Sequence, residues 1–193
     1  MPKTKDWIHT GHTLGECYHD KDKKITYVHI PKNASSFIKG CVLGSLKFER
    51  SLEFIQGDRY LVLLREPVER WVSGIATYEF FYNHTNLPFE QITLDDHTEK
   101  QSWFLQYVDL DKCDFFMVNN QLATNVKCWF DSHGYTVDVT NRTYFNKSRG
   151  TKREELKSKY QTYINNNLDF MLKLKKHFEE DYELINQVKF YGT

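Results

Sequence analysis

The chain opens with two dozen mostly polar residues, and sustained apolar character begins at Ile25. Residues 25–30 (ITYVHI) are β-branched and aromatic and are stopped by Pro31, which predicts a strand feeding a loop. Ser35, Ser36, Phe37, Ile38, Cys41, Val42 and Leu46 then fall at helical spacing behind a serine that can cap. Residues 60–64 (YLVLL) predict a second strand, of the kind buried on both faces of a parallel sheet. Pro67 suits the first position of a helix in which Val68, Val72 and Ile75 form one stripe, while Glu69, Arg70 and Ser73 face elsewhere. A helix over 100–107, a third strand over 115–118 and a helix over 122–131 follow, the last closed by His133, Gly134 and Tyr135. The basic stretch 146–159, with six Lys or Arg against two Glu, leads into helices running to about residue 186. Strands alternating with helices predict an α/β fold with a central, mostly parallel sheet, in one domain spanning 1–193 with 1–24 as a polar arm.

Composition narrows the classes. With 193 residues, 40% of them hydrophobic and 16% aromatic, the chain can build a full core, so disorder is excluded. Lys plus Arg equals Asp plus Glu at 26 each, which removes the basic footprint of a general nucleic-acid binder; an anionic ligand must be met locally. The amino-terminal stretch lacks an apolar signal core, and the longest aliphatic run, 61–64, is far too short to span a membrane, so a cytoplasmic, membrane-free protein is expected. Cys17, Cys41, Cys113 and Cys128 form no CxxC pair and read as reduced thiols, and the sequons at Asn33, Asn83, Asn141 and Asn146 then read as chance. His9, His12, Cys17 and His19 match no zinc-finger spacing, so a solvated polar arm is expected there and no metal.

In open α/β sheets ligands sit at the carboxyl ends of strands. Two segments lie at such ends. The first, Pro31-Lys32-Asn33-Ala34-Ser35-Ser36-Phe37, has small residues that let amides close around an anion, one lysine and two hydroxyls. It is not a Walker A loop, because GxxxxGK followed by Ser or Thr is absent; its plainer reading is a Ser-capped helix behind a proline turn. The second, residues 64–74 (LREPVERWVSG), sends the Arg65 guanidinium off a strand end and places Ser73 on the following helix. Its plainer reading is an ion pair of Arg65 with Glu66 or Glu69.

In this order and separation, the two segments resemble the cofactor signatures of sulfotransferases that use 3'-phosphoadenosine 5'-phosphosulfate (PAPS). That family carries a P-K-x-x-S/T-S/T loop for the 5'-phosphosulfate and an R-D/E-P-x-x-R-x-x-S element for the 3'-phosphate, and the chain has both. It looks most like a compact relative of the carbohydrate sulfotransferases. Asp96-His97 and Gln101-Ser102 resemble the family's His-x-x-Pro-Gln pattern, with Lys100 in place of the proline. Residues 146–150 (NKSRG) resemble a late basic loop, and 181–184 (DYEL) a final-helix ending. The resemblance implies a three-layer, P-loop nucleotide-kinase-like sandwich and PAPS as sulfuryl donor, with no metal.

It further implies that Lys32, Ser35 and Ser36, with the amides of Asn33 and Ala34, hold the 5'-phosphosulfate. Arg65 and Ser73, helped by Ser148 and Arg149, would hold the 3'-phosphate. Phe37 stands where an aromatic stacks near the adenine, with core packing as the alternative. Transfer to an acceptor hydroxyl, on a carbohydrate or small molecule, would be in-line, with Lys32 meeting charge on the leaving oxygen. A base must take the acceptor proton. His97 is the candidate because imidazole titrates near neutrality, with a substrate-contact or structural histidine as its plainer reading and Glu49 or Glu53 as runner-up. Two alternatives stay open: a non-catalytic PAPS-binding module and a nucleotide-dependent phosphotransferase.

Overall fold

In the computed structural model, which describes residues 14–83, 91–140 and 151–192, the core is ordered by the two-residue period of three parallel strands. These are β2 (Ile25–Val28), β4 (Arg59–Leu64) and β5 (Cys113–Met117), preceded by β1 (Cys17–Asp20) and interrupted by β3 (Glu49–Ser51). Ile25, Tyr27, Leu61, Leu63 and Phe116 pack on one face against Phe37, Ile38, Val126, Trp129 and Phe130. Val28, Tyr60, Val62, Leu64 and Phe115 pack on the other against Phe104, Leu105 and Val108. Both faces are therefore covered, which explains the uninterrupted apolar run of β4.

The strand order is β3-β1-β2-β4-β5. β2, β4 and β5 pair in parallel, but β1 runs antiparallel to both β2 and β3. The sheet is thus mixed, a correction to the mostly parallel sheet expected from the sequence. The correction comes from the segment read as a polar arm. Its polar side chains are paired inside the fold: His19 Nδ1 lies 2.8 Å from Thr26 Oγ1, and Asp20 accepts from the Asp22 and Lys23 amides and from Tyr135 Oη at 2.6 Å. These Asp20 bonds and the nearby Lys23 charge outweigh its burial and hold its carboxyl below the usual range. Cys17 and His19 are buried on β1, not solvated; His9 and His12 lie outside the described residues. All four cysteines are free thiols.

Among the described residues seven α-helices accompany the sheet: α1 (Ser35–Phe37), α2 (Pro67–Tyr82), α3 (Gln101–Phe104), α4 (Leu122–Ser132), α5 (Thr151–Asn165), α6 (Leu168–His177) and α7 (Glu179–Gln187). The helix expected over 35–46 is α-helical only in α1, then widens into a π turn over Ile38–Val42 and a 3-10 turn over Leu43–Ser45. α2 has its own apolar partners: Val68, Trp71, Val72 and Ile75 pack with Leu156, Tyr160 and Ile164 of α5 and Phe170 and Leu174 of α6. A buried polar bond fixes this packing, for Glu79 on α2 accepts from Tyr160 Oη and from Lys159 Nζ at 3.0 Å. Among the described residues no helix is long and apolar enough to cross a membrane.

Candidate functional site

The loop after β2 owes its shape to two residues with left-handed backbone, Lys32 at φ 68° and Ala34 at φ 53°. Such conformations in non-glycine residues cost on the order of 1 kcal/mol or more and persist where the surroundings impose them. Asn33, between them, is fully buried. Its Nδ2 donates to the Leu63 carbonyl and to Gln101 Oε1, both at 2.7 Å, pinning the loop to the end of β4. The amides of Ala34, Ser35 and Ser36 donate to no acceptor among the described residues. Ser36 is exposed and Ser35 half-buried at this mouth, so hydroxyls and amides are available to an anion. Phe37 is buried in the core cluster with Ile38 and Trp129, in keeping with the packing alternative.

Lys32 leaves the loop toward α2, where its Nζ donates to Thr77 Oγ1 at 2.7 Å. Thr77 in turn donates to the Ser73 carbonyl one helical turn earlier, so Lys32 and Ser73 are joined along one face of α2. Burial, followed by the charges of Arg153, Lys157, Arg65 and Arg70, pulls the Lys32 pKa down to about 7. Each of these four neighbours is a cation, so the group sits in an excess of positive potential that an anion would relieve.

Arg65 follows β4 directly. Its Nη1 approaches the Lys32 carbonyl at 3.5 Å and its Nε lies 3.5 Å from Glu69 Oε2. The ion pair foreseen as the plainer reading is therefore present, but loose and half in solvent, where such pairs contribute little. A cavity of about 380 Å³ opens against it, lined by Arg65, Glu69 and Ser73 on one side and by Lys157, Ser158 and Gln161 of α5 on the other. Arg65 and Ser73 both line this cavity. Ser148 and Arg149 lie outside the described residues.

Two residues whose roles the sequence did not disclose hold these parts together. Arg70 is buried, and its Nε donates to the Pro31 carbonyl at 3.0 Å, its Nη1 to the Glu99 carbonyl and its Nη2 to the Asp96 carbonyl at 3.2 Å. Burial lowers its pKa to about 10 although Asp181, Asp96, Glu99 and Asp95 favour the charge. Gln101 is the second. Its side chain accepts from the Arg65 amide at 2.9 Å, donates to the Arg65 carbonyl at 2.8 Å and accepts from Asn33. Asp181 fixes Gln101 from behind, accepting from the Gln101 and Ser102 amides at 2.8 Å each. The resemblances at 96–102 and at Asp181 thus fall on one framework. No sequence signal beyond those partial matches reveals it.

His97 lies on this framework. Its Nδ1 is 3.0 Å from Asp95 Oδ2 and 3.1 Å from Asp96 Oδ1, both carboxylates fully buried. Burial opposes the charged ring, but the bonds to Asp95 and Asp96 and their charges prevail, leaving the pKa raised. Its main chain rests on α2 next to Ser73: a Cβ at Gly74 would run into the His97 carbonyl. The runner-up carboxylates lie elsewhere. Glu49 is exposed on the edge strand β3, paired with Lys21 at 2.6 Å, and Glu53 is exposed beyond it. Asp95, Asp96 and His97 could also ligate a cation, but their charges are met by the imidazole and by Arg70. Comparison with protein-family models, curated proteins and solved structures finds no match to this chain.

Proposed function

We propose that the protein is a sulfotransferase that moves the sulfuryl group of PAPS to a hydroxyl of a carbohydrate or small-molecule acceptor, on a three-layer framework of the P-loop nucleotide-kinase kind. The observation that carries this reading is the meeting of the two strand-end motifs beside α2, where Arg65 and Ser73 line one cavity and Lys32 Nζ reaches Thr77, one helical turn from Ser73. The residues present suit a donor with phosphates at two separate positions. Lys32 and the amides of Ala34, Ser35 and Ser36, which meet no acceptor among the described residues, would take the 5'-phosphosulfate, and Arg65 with Ser73 the 3'-phosphate.

Bound there, PAPS supplies an activated sulfur, whose bond to the 5'-phosphate oxygen is exchanged for a bond to the acceptor oxygen, leaving 3',5'-ADP. Lys32 would hold a donor hydrogen against the oxygen on which charge accumulates. His97 would take the acceptor proton. With Nδ1 held by Asp95 and Asp96, Nε2 is the basic nitrogen of the neutral ring, and Arg70 and Gln101 tie the segment that carries it to both motifs.

Calorimetric titration with 3',5'-ADP, against 5'-AMP as the control lacking one phosphate, tests the donor site. Tight binding of the first and weak binding of the second is expected; binding of neither rejects the reading. Turnover with PAPS on a panel of hydroxylated acceptors then separates an enzyme from a module that only binds the nucleotide.

A further inference from the structure

α5 is the most polar helix of the fold, with the sequence TKREELKSKYQTYIN, and by pattern alone reads as a solvated basic face. The structure gives that face a different use. Leu156, Tyr160 and Ile164 turn into the core against α2, which leaves Lys157, Ser158 and Gln161 on the wall of the cavity opposite Arg65 and Ser73. Lys157 and Arg153, one turn apart, also act on Lys32 from this side, so α5 brings positive charge to both ends of the α2 face. Two carboxylates temper it: Glu154 pairs with Lys157 at 2.7 Å, and Glu69 faces Arg65 at 3.5 Å. Both pairs are solvent-exposed on the acidic side and yield readily to a stronger anion.

We propose that Lys157 is a specificity-determining residue, closing the Arg65–Ser73 subsite from across the cavity and selecting nucleotides that carry a phosphate monoester there, with Gln161 and Ser158 as its neutral hydrogen-bonding neighbours. The proposal rests on the donor reading above. Arg65 and Ser73 alone present one guanidinium and one hydroxyl from one side; a dianionic phosphate gains most where cations approach it from two sides. The packing of α5 on α2 supplies the second side, fixed in place by Glu79 with Tyr160 and Lys159.

The test measures the affinities of wild type, Lys157→Gln, Lys157→Arg and the surface control Lys175→Gln for 3',5'-ADP and for 5'-AMP, with thermal melts to confirm folding. Lys157→Gln is expected to weaken 3',5'-ADP binding about tenfold or more, the scale of a lost charge-assisted hydrogen bond, and to leave 5'-AMP binding within about twofold. Lys157→Arg should restore most of the preference, and Lys175→Gln, which removes the same charge from α6, should not change it. A folded Lys157→Gln protein that keeps the wild-type preference overturns the proposal while leaving the donor reading standing. Wild-type protein that binds neither nucleotide overturns both.

Discussion

Gln101 pairs with the main chain of Arg65 at both of its polar ends, accepting from the amide at 2.9 Å and donating to the carbonyl at 2.8 Å. The same Oε1 receives Asn33 Nδ2 at 2.7 Å. One side-chain amide thereby sets the spacing between the lysine loop and the arginine, which are brought together from separate strand ends. Removing it takes this partner from the part-buried amide and carbonyl of Arg65, while Asn33 Nδ2 keeps only the Leu63 carbonyl; an orphaned buried group costs about 1–3 kcal/mol. Gln101→Ala should lower the melting temperature markedly and, in whatever remains folded, weaken 3',5'-ADP binding although Gln101 lines no part of the cavity. Melting curves together with calorimetry check this; a variant with wild-type stability would mean that the two loops are held by other contacts.

Arg65 and Lys32 should fail differently when truncated. Arg65 faces the cavity and its close acidic partner among the described residues, Glu69, is exposed. Arg65→Ala should therefore weaken 3',5'-ADP binding by roughly 1.5–3 kcal/mol with little loss of stability. Lys32 is expected to act on charge that develops during transfer, so Lys32→Ala should lower kcat more than it lowers nucleotide affinity. Parallel binding and steady-state measurements separate the two outcomes; a pure affinity loss at Lys32 would reduce it to a binding residue.

The motifs at 31–37 and 64–74 were legible because their meaning is local: a strand end, small residues and a charge close together in sequence. What ties them was not. Arg70 reads along the chain as the polar side of a helix, yet it is buried and bonded to three carbonyls on two other segments. Gln101 and Asp181 act across long sequence separations, and no periodicity encodes such a relation. β1 escaped the pattern because Tyr18, His19 and Asp20 are polar, their burial made tolerable by partners on β2 and beyond. Helices were expected after the basic stretch, but the use of α5 at the cavity escaped for the opposite reason: its charges look solvated, and its packing on α2 turns Lys157 toward the cavity.

His97 offers a stability test that does not need a substrate. Its folded pKa is raised, since the bonds to Asp95 and Asp96 outweigh the cost of burial. A raised folded pKa means that the imidazolium's contribution is complete below the unfolded value and is lost as pH rises through the folded value. The melting-temperature gap between wild type and His97→Gln should be wide at about pH 5.5 and should narrow by about pH 8.5. A gap independent of pH would show that the ring contributes by packing alone. If His97 is also the base, the same substitution should abolish turnover while 3',5'-ADP binding persists; near-normal turnover would remove it from that role.

Lys32 leads to the most particular expectation. With its pKa brought to about 7 by burial and by Arg153, Lys157, Arg65 and Arg70, the side chain is largely neutral in the free protein above neutral pH. In the unfolded chain it titrates near 10.5, so the folded state binds fewer protons between these values, and stability should rise with pH across that window. An anion seated against Lys32 reverses the balance, because it favours the ammonium form and compensates the four neighbouring cations. Binding should then draw a proton from solution. At about pH 8, the enthalpy of 3',5'-ADP binding measured in buffers of different ionisation enthalpy should reveal uptake approaching one proton, falling toward zero at about pH 6 where Lys32 is already charged. Lys32→Met should abolish the buffer dependence. Binding at about pH 8 with no buffer dependence in the wild type would place the anion away from Lys32 and leave the arginine side of the cavity as the whole of the site.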